Sequence, residues 1–110
     1  MRSIPVDTSA AMLMCATEPQ VKLKDLKTGE VSTDRDTGAT LYTVGIVFIA
    51  NGAADVVKVT VPEPGLPNGL TAGSPLVLTG LVALPWENNM GGQMRHGVAF
   101  RASAVALKAA

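Results

Sequence analysis

The sequence predicts an all-β fold, a single five-stranded antiparallel barrel, and three observations carry that expectation. Apolar residues recur with period two over most of the chain. Turn-forming pairs such as Asn51-Gly52 interrupt the alternation at hairpin spacing. A stretch rich in proline and glycine, residues 62–74, separates three candidate strands from two more.

The first strand is expected over residues 11–17, with an interruption at Glu18-Pro19 and a resumption through 21–26, where apolar and charged residues alternate. Lys27-Thr28-Gly29-Glu30 has turn chemistry, and residues 34–38 form a polar loop tip. Residues 40–50 are long, β-branched and apolar on both faces, which places the second strand in the middle of the sheet. Gly45 inside it marks a bulge or bend. Asn51-Gly52 is a hairpin turn leading into residues 55–61, where Val57, Val59 and Val61 face one way and Lys58 and Thr60 the other. The connection at 62–74 has too many breakers for a helix, although residues 69–73 suit a short turn. Strand four is expected over 75–84 with a kink at Gly80, residues 85–92 as a polar loop, and strand five over 97–107. Three strands, a connection and two strands is the order of an OB-type barrel, with a loop taking the place of the usual linker helix. A β-sandwich or an SH3-like barrel has the same alternation with other pairings and stands as the alternative.

At 110 residues the chain has the size of one domain, taken as 1–110. With 47% apolar and 16% charged residues it builds a core rather than a disordered coil. Tyr42, Phe48, Trp86 and Phe100 are the only aromatics, so that core rests on aliphatic side chains. Nine basic residues balance nine acidic ones, which argues against strong non-specific DNA binding and mildly favours self-association. The single cysteine, Cys15, has no partner for an internal disulfide and sits in an apolar run, where it reads as a small buried hydrophobe. That run is too short for a secretory leader, and no stretch approaches the ~20 apolar residues of a membrane span. A cytoplasmic location without membrane contact is expected.

Asp36-Thr37-Gly38-Ala39 matches the nucleophile motif of aspartic proteases. There an apolar strand leads into a buried Asp that shares a proton with its twin. Here Ser32-Thr33-Asp34-Arg35 precedes it, a solvated run that leaves Asp36 an ordinary carboxylate. His96 is the only histidine and has neither a second ligand nor a triad partner nearby in sequence. Neither a metal, a cofactor nor an enzymatic activity is expected.

Trp86 follows strand four at the root of the Gly/Asn loop, placed either to stack a nucleobase or to cap the barrel against Pro85. Lys22, Lys24, Lys58, Arg95 and Arg101 are spaced to line one groove with Tyr42 and Trp86 in an OB frame, or else to solubilise outward faces. Several strands are apolar on both faces, more than one barrel buries, which favours a subunit interface.

The stretch Ala72-Gly73-Ser74-Pro75-Leu76-Val77-Leu78-Thr79-Gly80-Leu81, then Trp86, then residues 97–105, resembles the final hairpin of single-stranded DNA-binding proteins. The acidic C-terminal tail by which the bacterial members recruit partners has no counterpart in the closing Ala106-Leu107-Lys108-Ala109-Ala110. Over nearly the whole chain, Ile4-Pro5-Val6-Asp7-Thr8, Asp34-Arg35-Asp36 before Tyr42-Thr43-Val44-Gly45, and Pro85-Trp86-Glu87-Asn88 are similar to small proteins of actinobacterial plasmids and integrative elements. The resemblances imply a non-enzymatic module that binds single-stranded nucleic acid in the replication or transfer of mobile DNA. The alternative is a protein-interaction or structural module, a homodimer, of such a complex.

Overall fold

The computed structural model of the chain describes residues 3–25 and 27–108. Leu26, at the expected end of the first strand, and Ala109-Ala110 lie outside the described residues. The fold is all-β. Its strands are β1 (Ile4–Pro5), β2 (Met12–Val21), β3 (Leu23–Asp25), β4 (Glu30–Val31), β5 (Leu41–Ala50), β6 (Ala53–Pro62), β7 (Leu76–Thr79), β8 (Val82–Met90), β9 (Gln93–Arg101) and β10 (Ala104–Leu107).

Six of them form one sheet in the order β1-β8-β9-β6-β5-β2, antiparallel throughout except for a short parallel contact of β6 with β9. β7 and β10 form a separate ribbon, as do β3 and β4. The sheet curls strongly but does not close. Among the described residues its far edge is tied back by the Met14↔Pro75 bridge and by two backbone bonds, Cys15 N–H to the Ser74 carbonyl at 2.9 Å and Gly73 N–H to the Cys15 carbonyl at 2.7 Å. A half-barrel of six strands thus stands where five closed strands were expected. The extra strand, β1, is only two residues long and extends no alternating pattern that a sequence reading detects.

Two turns fix the registers. Asn51 and Gly52 both take positive φ, 53° and 76°, the geometry of a two-residue type I′ turn, and every pair from Ala50↔Ala53 to Leu41↔Pro62 follows from it. Gly91 and Gly92, at 59° and 83°, do the same for β8 and β9. The expected polar loop at 85–92 is therefore mostly strand, with only the two glycines turning. Residues 85–89 and 93–96 are exposed on both faces, so polar side chains cost this hairpin nothing.

β2 runs on through Glu18-Pro19, but its ladder with β5 is interrupted there: a register shift between Thr17 and Gln20 leaves both residues without a partner, on an edge strand where a proline is tolerated. A second shift lies between Cys15 and Thr17. At the latter Gly45 N–H donates to Thr17 Oγ1 at 2.9 Å, while β5 keeps its register with β6 through Gly45, so the bulge lies in β2, opposite Gly45, rather than in Gly45's own strand. Gly80, at φ +65°, breaks β7 from β8 where a kink was expected, and Ala102-Ser103 breaks β9 from β10 opposite.

The curl encloses an aliphatic core centred on Val44, Ile46, Val59 and Val61, all fully buried, with Leu13, Leu76 and Val105 around them. The connection after β6 holds one 3-10 turn, Glu63–Gly65, and sends Leu70 into this core, so a loop does plug the half-barrel. Cys15 is buried here, its Sγ 3.2 Å from the Thr17 carbonyl, and burial foremost pushes its thiol above the ordinary value of 9.0. We expect Ellman's reagent at pH 8 to leave Cys15 unreacted in the native protein and to titrate it within minutes in guanidinium. Fast reaction without denaturant would contradict the buried placement.

Candidate nucleic-acid interface

Alternation and register decide which of the candidate residues share a surface. Opposite Trp86 on β9 stands Gly97, and the indole lies across it: a Cβ there would come within 2.6 Å of Cζ2 and 2.8 Å of Cε2. Glycine is thus the seat of the tryptophan ring, which stays 39% exposed. Pro85, Glu87, His96 and Val98 complete a shallow concavity of about 580 Å³ around it. Trp86 is no buried core residue: it stands in the stretch of the hairpin where residues 85–89 and 93–96 are all exposed.

Arg95 is two residues from Gly97 and so projects from Trp86's side of the ribbon. The same side continues to Arg101, which pairs with Val82 on β8 and with Thr60 on β6, and from Thr60 to Thr43 on β5 and Gln20 on β2. Lys58 lies two residues before Thr60 and shares its side, and Lys22 Nζ donates to Thr60 Oγ1 at 3.3 Å. One sheet face therefore carries Trp86, Arg95, Arg101, Lys58 and Lys22. Two adjoining concavities share Lys22, Thr43 and Lys58, and no carboxylate lines either.

Two candidates are placed elsewhere. Tyr42 is half-buried and stands opposite the buried Val61, on the reverse side from Thr43 and Lys58. Lys24 does not share Lys22's surroundings: the chain leaves the sheet at Lys22, and Lys24 lies on the β3–β4 ribbon with its Nζ 3.8 Å from Glu30 Oε1.

Arg101 is already engaged. Its guanidinium donates to Asp34, at the base of the loop between β4 and β5, whose side chain is only 10% exposed. Asp34 Oδ1 also accepts the Asp36 N–H at 2.9 Å, and this bond first, with the guanidinium behind it, holds the Asp34 carboxyl below its ordinary value of 3.8. Asp36 itself is exposed at the loop tip. A carboxyl lowered by folding stabilises the native state above its unfolded value, and that contribution is lost as pH falls through the folded value. We expect Asp34→Asn to be less stable than wild type at neutral pH, the gap closing as pH drops below 3.8. Urea midpoints measured across that range check it, and a gap independent of pH would contradict the assignment.

Gly97, which seats Trp86, and Asp34, which holds Arg101, were not among the residues expected at this surface, nor were Thr43, Thr60 and Gln20. Among the described residues no three His, Cys, Asp or Glu side chains gather as a metal site, and no helix is long and apolar enough to cross a membrane. The chain matches no protein-family model, no curated protein and no solved structure.

Proposed function

We propose that this chain is a non-enzymatic binding module for single-stranded nucleic acid on an OB-type frame. An OB fold is a partly open Greek-key barrel that binds along its second and third strands and through the loops after strands one and four. In this chain those correspond to β5–β6, the 22–40 segment and the β8–β9 hairpin. The observation that carries the reading is Trp86 laid on Gly97, half open, on the same face as Lys22, Lys58 and Arg95.

An exposed indole supplies a sequence-tolerant stacking platform, and the three cations meet the backbone phosphates. Arg101, held by Asp34, contributes less. A neutral chain binds weakly at physiological salt, and three phosphate contacts give a log–log salt slope of roughly −2 for a single strand. Titrating oligo-dT into the protein at low salt should quench Trp86 fluorescence saturably, with that slope as salt is raised. Unchanged fluorescence at micromolar oligonucleotide in low salt would sink the reading. On the resemblance to mobile-element proteins, we propose plasmid replication or transfer, in the cytoplasm, as the setting of this activity.

A homo-oligomeric interaction module is the second reading. Met12, 58% exposed, and Val77, 46% exposed, line one concavity on the side of the fold where β7 meets β2. Light scattering coupled to gel filtration decides it: a dimer that Met12→Glu with Val77→Glu converts to monomer supports this surface as the interface.

A further inference from the structure

β6 and β9 pair only at Val59↔Phe100 and Thr60↔Arg101, and the strands part towards their N-terminal ends. Residues 53–58 of β6 pair with β5 on one side and, among the described residues, with no strand on the other. Such an edge presents unpaired N–H and C=O groups, a template to which an extended chain adds. The sheet's outer edges are blunted by comparison. β1 has two residues including Pro5, and β2 carries Pro19 and two register shifts. Residues 53–58 contain no proline, keep an unbroken register, and leave Val56 67% exposed.

The fork between the strands is a concavity of about 490 Å³ with two kinds of lining. Val57 and Phe100, with Val98 two residues before it, share the core-facing parity; Lys58 and Thr60 share the other, with Lys22 reaching across. No carboxylate lines the fork; Asp55, the one carboxylate of the edge itself, shares the side of Val57 and not that of Lys58, and neither lysine has an acidic partner among the described residues. An added strand presents its side chains alternately to these two sides.

We infer that the open edge at residues 53–58 takes up an extended acidic peptide as an additional strand. Its apolar side chains pack towards Val57, Val98 and Phe100, and its alternating carboxylates meet Lys22 and Lys58. A nucleic-acid strand has matching charge but no main-chain ladder to offer, so the free edge favours a peptide. The inference needs neither Trp86 nor the nucleic-acid reading.

The probe is a blocked octapeptide of alternating glutamate and valine, added to the ¹⁵N-labelled full chain and followed by amide shifts and hydrogen exchange. Binding should shift amides of residues 53–58 and 98–100 and slow exchange of the edge amides at least tenfold. Lys58→Glu should weaken the complex tenfold or more and give measurable binding to a lysine–valine peptide instead. A peptide with proline at its centre should not bind. The inference is overturned if millimolar peptide leaves these amides unshifted, if the proline peptide binds equally, or if oligo-dT shifts them while the peptide does not.

Discussion

Trp86→Ala should weaken oligo-dT binding by about ten- to a hundredfold, the loss of one stacked base at about 1–3 kcal/mol. The substitution removes a side chain that is 39% exposed on a solvent-surrounded hairpin, so the thermal midpoint should move little. That split between affinity and stability separates a stacking platform from a packing residue. Gly97→Val is the companion test. Its β-carbon would sit 2.6 Å from the indole Cζ2, so the ring has to leave its seat while its chemistry stays intact. Affinity should fall in Gly97→Val as it does in Trp86→Ala. Anisotropy of a labelled oligo-dT measures both, and a Trp86→Ala protein with wild-type affinity would remove Trp86 from the interface.

Gly45→Val is expected to produce a large loss of stability, about 1–3 kcal/mol from overpacking, with the lost bulge bond added to it. A β-carbon at Gly45 would lie 2.3 Å from Thr17 Oγ1 and 3.3 Å from Thr17 Cβ, on a site where that hydroxyl accepts the Gly45 N–H. Thr17 must rotate away, and the bond goes with it. Part of the cost belongs to this one pair, so a double-mutant cycle with Thr17→Ala isolates it. Gly45→Val should be cheaper in the Thr17→Ala background when both are compared by urea denaturation. Equal costs in the two backgrounds would mean that the bulge does not set the strain.

The same bulge shows what was legible before the structure. Gly45 within a β-branched strand marks an irregularity, and Asn51-Gly52 marks a type I′ turn, so the β5–β6 register and the burial of Val59 and Val61 follow from local chemistry alone. Gly91-Gly92 carried equal information. Taken as a two-residue turn, it places Trp86 opposite Gly97 by counting five residues outward on each side. The polar residues between Trp86 and the glycines hid it, because hydrophobic alternation is silent in a hairpin that faces solvent on both sides.

Long-range relations were not legible. Lys22 and Lys24 have the spacing of one strand face, but the chain turns out of the sheet between them. The partner of Arg101 is 67 residues away, in a loop that no periodicity positions. The unclosed edge likewise depends on tertiary geometry, since the contact of β2 with residues 73–75 is a few bonds rather than a ladder.

Nucleic-acid binding at Trp86 can be followed directly by an oligo-dT titration of the ¹⁵N-labelled protein, read through the indole N–H and the backbone amides. Nucleic-acid binding on this face predicts saturable shifts of the indole resonance together with amides at Gly97, Lys58, Thr60 and Thr43, fading as salt is raised. Shifts confined to other surfaces, or an unmoved indole at saturating oligonucleotide, would contradict it.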